Sequence, residues 1–490
     1  MIAWTIYSTF IGAIVVLAAP RSWSRPLALL AALAGLFFSC AGFFSRTIDF
    51  AHFTTVVRLP WVPVLGMNYQ LAVDGISLTL CLVTGITAVS AVLFSWDVLE
   101  RPNEFFFWLL LVVGGSYGVF LSADLFLFFV FYELVIIPKY FLIATWGSTR
   151  REYGAMKLTL YSFFGGALVF IGILAAYAGA QKAGSLSPLD LEQLVHLRFP
   201  LELQRWAFPV LFLGFGVLAG MWPFHTWAPT GHVAAPTAGS MLLAGIVMKL
   251  GAYGALRVAL NLFPQGFQMW RGWIALLAVI GIVYAAAVAL RQRDLKFIIG
   301  YSSVSHMGFV ILGLAAATEL GLSGAVLQMF SHGVIGALLF AIVGRMIYAR
   351  THTRDLGELS NFDLKRMLPF AAFAFVIASA ASMGIPGFSG FAAEISILIG
   401  TWSSYPLAVI FTGAGMVLVA AFTLRALKAA FFSHDPAALG AVTAPLPPIT
   451  LPEKCGATLL MAVTLGAGLY PQVFFDRIVP ALRDFRVFHP

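Results

Sequence analysis

Residues 124 to 147 read DLFLFFVFYELVIIPKYFLIATWG, an almost unbroken apolar run that leaves this chain few folds to choose from. A helix rises about 1.5 Å per residue, so about 20 apolar residues cross the hydrocarbon of a bilayer. Runs of this length recur along the sequence, about fourteen in all. Charged residues make up 10% of the chain and hydrophobic ones 60%, whereas a soluble domain is about a quarter charged. The expected fold is an all-α polytopic membrane protein in contact with the lipid bilayer. A β-barrel is excluded, because its strands alternate over about ten residues and do not run continuously apolar. The net charge of +8 then has a membrane explanation: Lys and Arg gather in short connections, with no basic stripe on a soluble domain and no nucleic-acid partner implied.

Inside these runs stand three charges. Glu133 lies in the run quoted above, Lys249 in GSMLLAGIVMKLGAYGALRVAL and Glu394 in FSGFAAEISILIGTW. A charge at the bilayer centre costs roughly 3 kcal/mol on insertion scales, and such groups usually mark ion or proton pathways. Burial penalises the charged form of an acid or an amine, which brings proton exchange within reach near neutral pH. Histidine needs no such help. Cys40, Cys81 and Cys455 are scattered and cannot hold an iron–sulfur cluster or a zinc, which need several close ligands. No nucleotide-binding motif follows a strand. Energy must therefore come from another subunit or from an ion gradient.

The basic residues sort the connections. Those after odd-numbered spans carry Arg21, Arg150, Arg151, Arg291, Arg293, Lys296, Arg350 and Arg354, which places those loops in the cytoplasm and both termini on the other side. The first apolar stretch, 2 to 19, lacks a basic leader and is read as a helix. An internal repeat shows where Asp124-Leu125 corresponds to Asp294-Leu295 and GALVF at 166 to 170 to GALLF at 336 to 340, at one common separation. Pro223 in MWPFHTWAP roughly parallels Pro386 in MGIPGFSGF, and both should break their helices. Such breaks are tolerated at membrane depth where they line a wet cavity or are buried in protein. The resulting division is N-terminal transmembrane helices over 1–104, a first repeat over 105–260, a second over 270–432, and a linker with a last transmembrane helix over 433–490.

The run MWPFHTWAPTGHVAAPTAGSMLLAGIVMKLGAYGALR, followed by DLKFIIGYSSVSHMGFV, QMFSHGVIGALLF, THTRDLGEL and MGIPGFSGFAAEISIL, resembles the antiporter-like membrane subunits of respiratory complex I. Within them it is most similar to the M (chain 4) branch of NADH:quinone oxidoreductase. The likeness extends from about Asp74 to Leu427. It implies fourteen helices with two inverted five-helix repeats, a place beside other membrane-arm subunits, and proton translocation coupled to quinone reduction. It also implies a bacterial inner membrane, and NADH, FMN, Fe–S clusters and quinone held by other subunits, with no cofactor or metal in this chain. Carried over by motif, the relay would comprise Glu133, Lys249 and Glu394 with His225, His232 and His332. Related subunits serve multisubunit Na⁺/H⁺ antiporters and membrane-bound hydrogenases, so these remain alternatives, as does a structural spacer that moves no ions.

One departure stands out. The family pattern KxPxxPxHxWLPDAH begins with a lysine that pairs with the glutamate matched by Glu133, but residues 218 to 232 read LAGMWPFHTWAPTGH. Leu218 occupies the lysine position, Gly220 replaces a proline, Ala228 a leucine and Thr230 an aspartate. Either Glu133 has lost its partner and stays mostly protonated, or Lys139 substitutes. On an ideal helix Lys139 lies about 240° around and about 9 Å along from Glu133, which disfavours direct pairing unless Pro138 kinks the helix or water bridges the gap, and snorkelling toward the helix end near Trp146 stands beside it as an equal reading. His306 and His352 read equally well as satisfied structural residues. Ser302, Ser303 and Ser305 would hold water or allow close helix packing, and Asp124 and Asp294 should cap helices. The segment 350 to 366 reads as a solvated loop, and Pro436 to Pro452 as an exposed linker.

Overall fold

The computed structural model describes residues 1–433, 444–483 and 485–488. Its helices are α1 Trp4–Ala18 and then α2 Arg21–Phe43, α3 Gly75–Leu93, α4 Pro102–Leu121, α5 Leu125–Trp146, α6 Arg151–Lys182 and α7 Leu201–Ala219. These are followed by α8 Thr237–Leu260, α9 Pro264–Arg291, α10 Leu295–Ala316 and α11 Glu319–Thr351. The last group is α12 Pro369–Ser382, α13 Ser389–Trp402, α14 Pro406–Phe431, α15 Leu451–Leu469 and α16 Gln472–Arg483. Among the described residues, 11 helices are long and apolar enough to cross a membrane, or 12 if α15 and α16, bent by 71°, form one span. The break expected at Pro386 is present: the apolar stretch from 368 to 400 is two helices, α12 and α13, parted around that proline.

Burial orders the bundle. The apolar windows of α8 and α11 are wholly buried and those of α3 and α10 nearly so, whereas α2 and α14 mostly face outward. Small residues explain the centre: a Cβ on Gly333 of α11 would stand 2.7 Å from the Gly245 carbonyl of α8. Only glycine lets these two backbones approach so closely. The helices carrying Lys249 and His332 are thereby pressed together.

Asp124 and Asp294 do cap their helices, each accepting two backbone N–H bonds at the first turn. Each also joins a second aspartate through a short antiparallel bridge, Asp124 with Asp190 and Asp294 with Asp355. Asp190 and Asp355 in turn cap the short helices Leu191–Leu194 and Leu356–Leu359. The two halves of the chain thus close their loops in the same way.

Three features depart from the sequence reading. Residues 54 to 73 form an antiparallel hairpin, β1 Thr54–Val62 and β2 Met67–Val73, which turns through Gly66 at φ 71°, a left-handed conformation that suits glycine. The segment from 350 to 366 is not simply solvated: Arg354 is buried against Asp294 at 3.2 Å, and Arg350 is buried against Glu453 at 2.7 Å. Arg350 also donates to the carbonyls of Pro447 and Pro448. That part of the linker is clamped to the bundle; residues 436 to 443 lie outside the described residues.

Candidate functional site

The central side chain is Lys249. It lies on a seven-residue α-helical stretch between two π-helical stretches, Leu243–Val247 and Ala255–Leu260, and is fully buried. A π turn shifts the face a helix presents, and such turns concentrate at functional sites. Nζ donates to the Ala244 carbonyl and stands 2.8 Å from His332 Nδ1. An ammonium donates to Nδ1, whereas a neutral amine can accept from Nδ1–H, so the contact suits a proton on either partner. His332 Nε2 has no partner.

From His332 the polar groups continue across α10 to the broken segment. The His332 and His306 rings stack at 29° with centroids 5.6 Å apart. His306 Nδ1 lies 3.2 Å from Glu394 Oε1 and 3.3 Å from Gln328 Nε2, able to donate to the first or accept from the second but not both, and Nε2 meets Ser382 Oγ at 3.2 Å. Glu394 is buried on α13. The break makes room for it, because Gly384 has φ 67° and a Cβ there would lie 2.6 Å from Glu394 Oε2. Ser389, at the start of α13, is pinned by Ser331 of α11 at 2.8 Å and Thr464 of α15 at 2.9 Å. Beside Ser382 lies a cavity of about 20 Å³ that Ser302, Ser379 and Thr423 help to line, room for about one water.

The first half is arranged differently. Pro138 has no N–H to give the Leu134 carbonyl, and α5 is interrupted at Val135 between Leu125–Leu134 and Ile136–Trp146. Glu133, just before the interruption, is half-buried with Oε1 unpartnered. Its carboxylate occupies the place a Cβ on Gly166 of α6 would fill. The neighbouring Gly165 lets α7 approach, its Cβ position lying 2.8 Å from the Gly214 carbonyl. Leu218 is buried on α7, whose backbone lies close to Gly251 of α8, so an apolar side chain stands at the expected lysine position.

His225 and His232 are buried, yet neither ring nitrogen of either has a partner. His225 packs edge-on against Tyr284 at 5.4 Å and His232 stacks on Phe340 at 4.4 Å. The structure therefore joins Lys249, His332 and Glu394 through His306 and leaves Glu133, His225 and His232 outside that chain. His306, undecided in the sequence, is the link. Two lysines were misplaced. Lys296 is no loop residue: it is buried and donates to the Ala235 carbonyl at 2.9 Å, within electrostatic reach of His232. Lys139 does not snorkel: it is 3% exposed and Nζ has no partner. Arg257, two turns beyond Lys249, pairs in the interior with Asp74, the cap of α3. Both stood in the sequence beside apolar runs, the signal that singled out Glu133. Among the described residues no group of three His, Cys, Asp or Glu could hold a metal ion.

The family described as NADH:quinone oxidoreductase/Mrp antiporter, TM, matches residues 122–420. The NAD(P)H-quinone oxidoreductase chain 4 1 of Synechococcus elongatus is 38% identical over 424 residues, covering 85% of this chain and 78% of the relative. A chain of respiratory complex I from Thermus thermophilus with bound NADH is similar with a TM-score of 0.90 at 26% identity, over 99% of both chains. A chain of the Mrp complex from Dietzia sp. reaches 0.84 over 99% of this chain and 97% of its own, and at 20% identity that likeness shows the fold alone.

Proposed function

Because the chain belongs to the NADH:quinone oxidoreductase/Mrp antiporter family of membrane proteins, we propose that it is a proton-translocating, non-redox subunit. Its place would be the membrane arm of a complex I type NAD(P)H:quinone oxidoreductase. NADH, FMN, Fe–S clusters and quinone sit on other subunits, and the neighbours of this chain are other membrane-arm subunits in a bacterial inner membrane. We include in the proposal the fourteen-helix count, obtained by adding α1 and joining α12 to α13, the four-part division of the chain given above, and two five-helix repeats of inverted orientation. Both termini then lie on the non-cytoplasmic side. The matched bridges at Asp124–Asp190 and Asp294–Asp355 support the repeat.

The single observation that carries this reading is the continuous set Lys249, His332, His306 and Glu394. A base, two imidazoles and an acid in sequence can each hold or release a proton, and every member is buried where a stray charge would otherwise be expensive. The step between the two rings needs a ring rotation or one water. Lys249 and Glu394 exchange protons with the two ends, His332 and His306 carry them between, and Gln328 and Ser382 hold His306 in place. In the first half Glu133, His225 and His232 would serve a modified channel that lacks the lysine at 218.

The test is proton translocation by the purified complex in liposomes, measured beside quinone reduction. Lys249→Met and Glu394→Gln should each abolish translocation while quinone reduction continues at a reduced rate. Unchanged translocation in both would overturn the relay. The unpartnered polar groups of the first half and Leu218 favour a second reading, a spacer that retains the fold without moving ions. A gain of translocation in Leu218→Lys would show that Glu133 has lost its cationic partner and that the first half conducts poorly or not at all as it stands. The antiporter alternative, supported by the Mrp-like fold, predicts sodium-dependent proton movement without quinone turnover.

A further inference from the structure

We propose that the cavity between α10, α12 and α14 is a proton port, in which water passes protons from one end of the bundle to His306 through the Ser382 hydroxyl. This deepens the functional reading above and rests on it. Lys249, His332, His306 and Glu394 are all buried, and a buried relay needs a wet connection to a face of the membrane. The cavity lies on such a line. Its lining on α10 runs from Leu295, the first residue of that helix, to Ser302, about 10 Å along the axis. On α12 it reaches Ser382, the last residue of the helix, whose Oγ lies 3.2 Å from His306 Nε2. It thus leads from the end of α10 marked by the Asp294–Arg354 pair to the break before α13. On the sidedness proposed above that end is cytoplasmic.

The space is polar enough to hold water. Ser302, Ser379, Ser382 and Thr423 bring hydroxyls to it, where an apolar cavity of the same size would stay dry. Ser379 is fully buried, and its Oγ has no hydrogen-bond partner among the described residues. A hydroxyl buried at that cost calls for a partner in the cavity, and water is the one that fits about 20 Å³.

His306 is placed to use that water. A hydroxyl both donates and accepts, so Ser382 Oγ takes a proton from the cavity water and gives its own to Nε2, while Nδ1–H goes to the Glu394 carboxylate at 3.2 Å. The ring then carries its proton on Nε2, bonded to Ser382 Oγ, and bare Nδ1 accepts from Gln328 Nε2 at 3.3 Å. Both tautomers therefore find partners, which a ring kept only for packing does not require. Reorientation of the ring restores the starting arrangement, and the water regains its proton from the aqueous phase.

The experiment uses the whole complex in liposomes, with the cytoplasmic face outward. Glu394 is followed by time-resolved infrared spectroscopy after a pH jump of the outer solution, without quinone turnover, its band being the one lost in Glu394→Gln. Ser382→Ala removes the link, and Ser379→Val fills the cavity with methyl groups; each should slow the response at least about tenfold and lower protons moved per quinone. Ser382→Thr keeps the hydroxyl and should stay within about twofold of wild type. A wild-type rate in either Ser382→Ala or Ser379→Val overturns the proposal. So does a wild-type Glu394 that answers a pH jump in the liposome lumen and not one outside. If the wild-type complex moves no protons in turnover, the functional reading fails on its own, and the pH jump still decides whether this cavity is the port.

Discussion

The two halves of the interior hold similar side chains in opposite states. Around α11 and α13 the groups are mutually engaged, Lys249 with His332, His306 with Glu394 and Ser382, each at hydrogen-bond distance. Around α5 and α7 they are isolated, with Glu133 Oε1, Lys139 Nζ and all four ring nitrogens of His225 and His232 unpartnered. The difference teaches that placing a titratable group in the membrane does not by itself make a path. Both halves use glycines to admit an acid beside a broken helix, Gly384 for Glu394 and Gly166 for Glu133; what the engaged half adds is a set of partners, His306 facing Glu394 and His332 facing Lys249.

Variants can break or sharpen this contrast. The largest effect is expected for Lys249→Met, which removes the end of the engaged chain: protons moved per quinone in liposomes should fall at least about tenfold. His306→Phe keeps the ring and its packing but deletes both bonding nitrogens, so translocation should fall roughly three- to tenfold; a value equal to wild type would show that His332 passes protons to Glu394 without it. Gly166→Ala tests the isolated half, since the added methyl must displace the Glu133 carboxyl. Because that carboxyl is the free end of a flexible side chain, the change should cost at most about 1 kcal/mol in thermal unfolding while moving the Glu133 infrared band. His225→Phe should do least, under about twofold on translocation, because no hydrogen bond is lost. A larger loss there would mean the isolation of His225 is not its working state.

Much of this was legible from residue order. Glu133, Lys249 and Glu394 declare themselves because a charge in an apolar run has few explanations, and the caps at Asp124 and Asp294 follow from their position ahead of each helix. What escaped depended on partners distant in sequence. Nothing local distinguishes His306 from a packing residue, since its partners Glu394 and Ser382 come from the two sides of a break some 80 positions away. Lys139 looked like a snorkelling residue because it stands toward the end of its apolar run near Trp146, and its burial depends on neighbouring helices that sequence order does not show. Lys296 looked like part of a loop because it follows Asp294 so closely, yet the helix begins at Leu295 and turns it inward. The hairpin over 54 to 73 was missed for another reason: its β-branched residues and Gly66 were visible, but a search for long apolar runs passes over short strands.

The π-helical stretches beside Lys249 carry a consequence of their own. Each contains one residue more than an α-helical course over the same span would use, and every residue turns the following part of an α-helix by about 100°. Removing Ala244 would let the first stretch rewind as an α-helix over the same span, keeping Lys249 in register while taking away the carbonyl its amine meets. The surplus residue thus serves to turn one backbone carbonyl toward a buried amine, a purely geometric contribution from an apolar position.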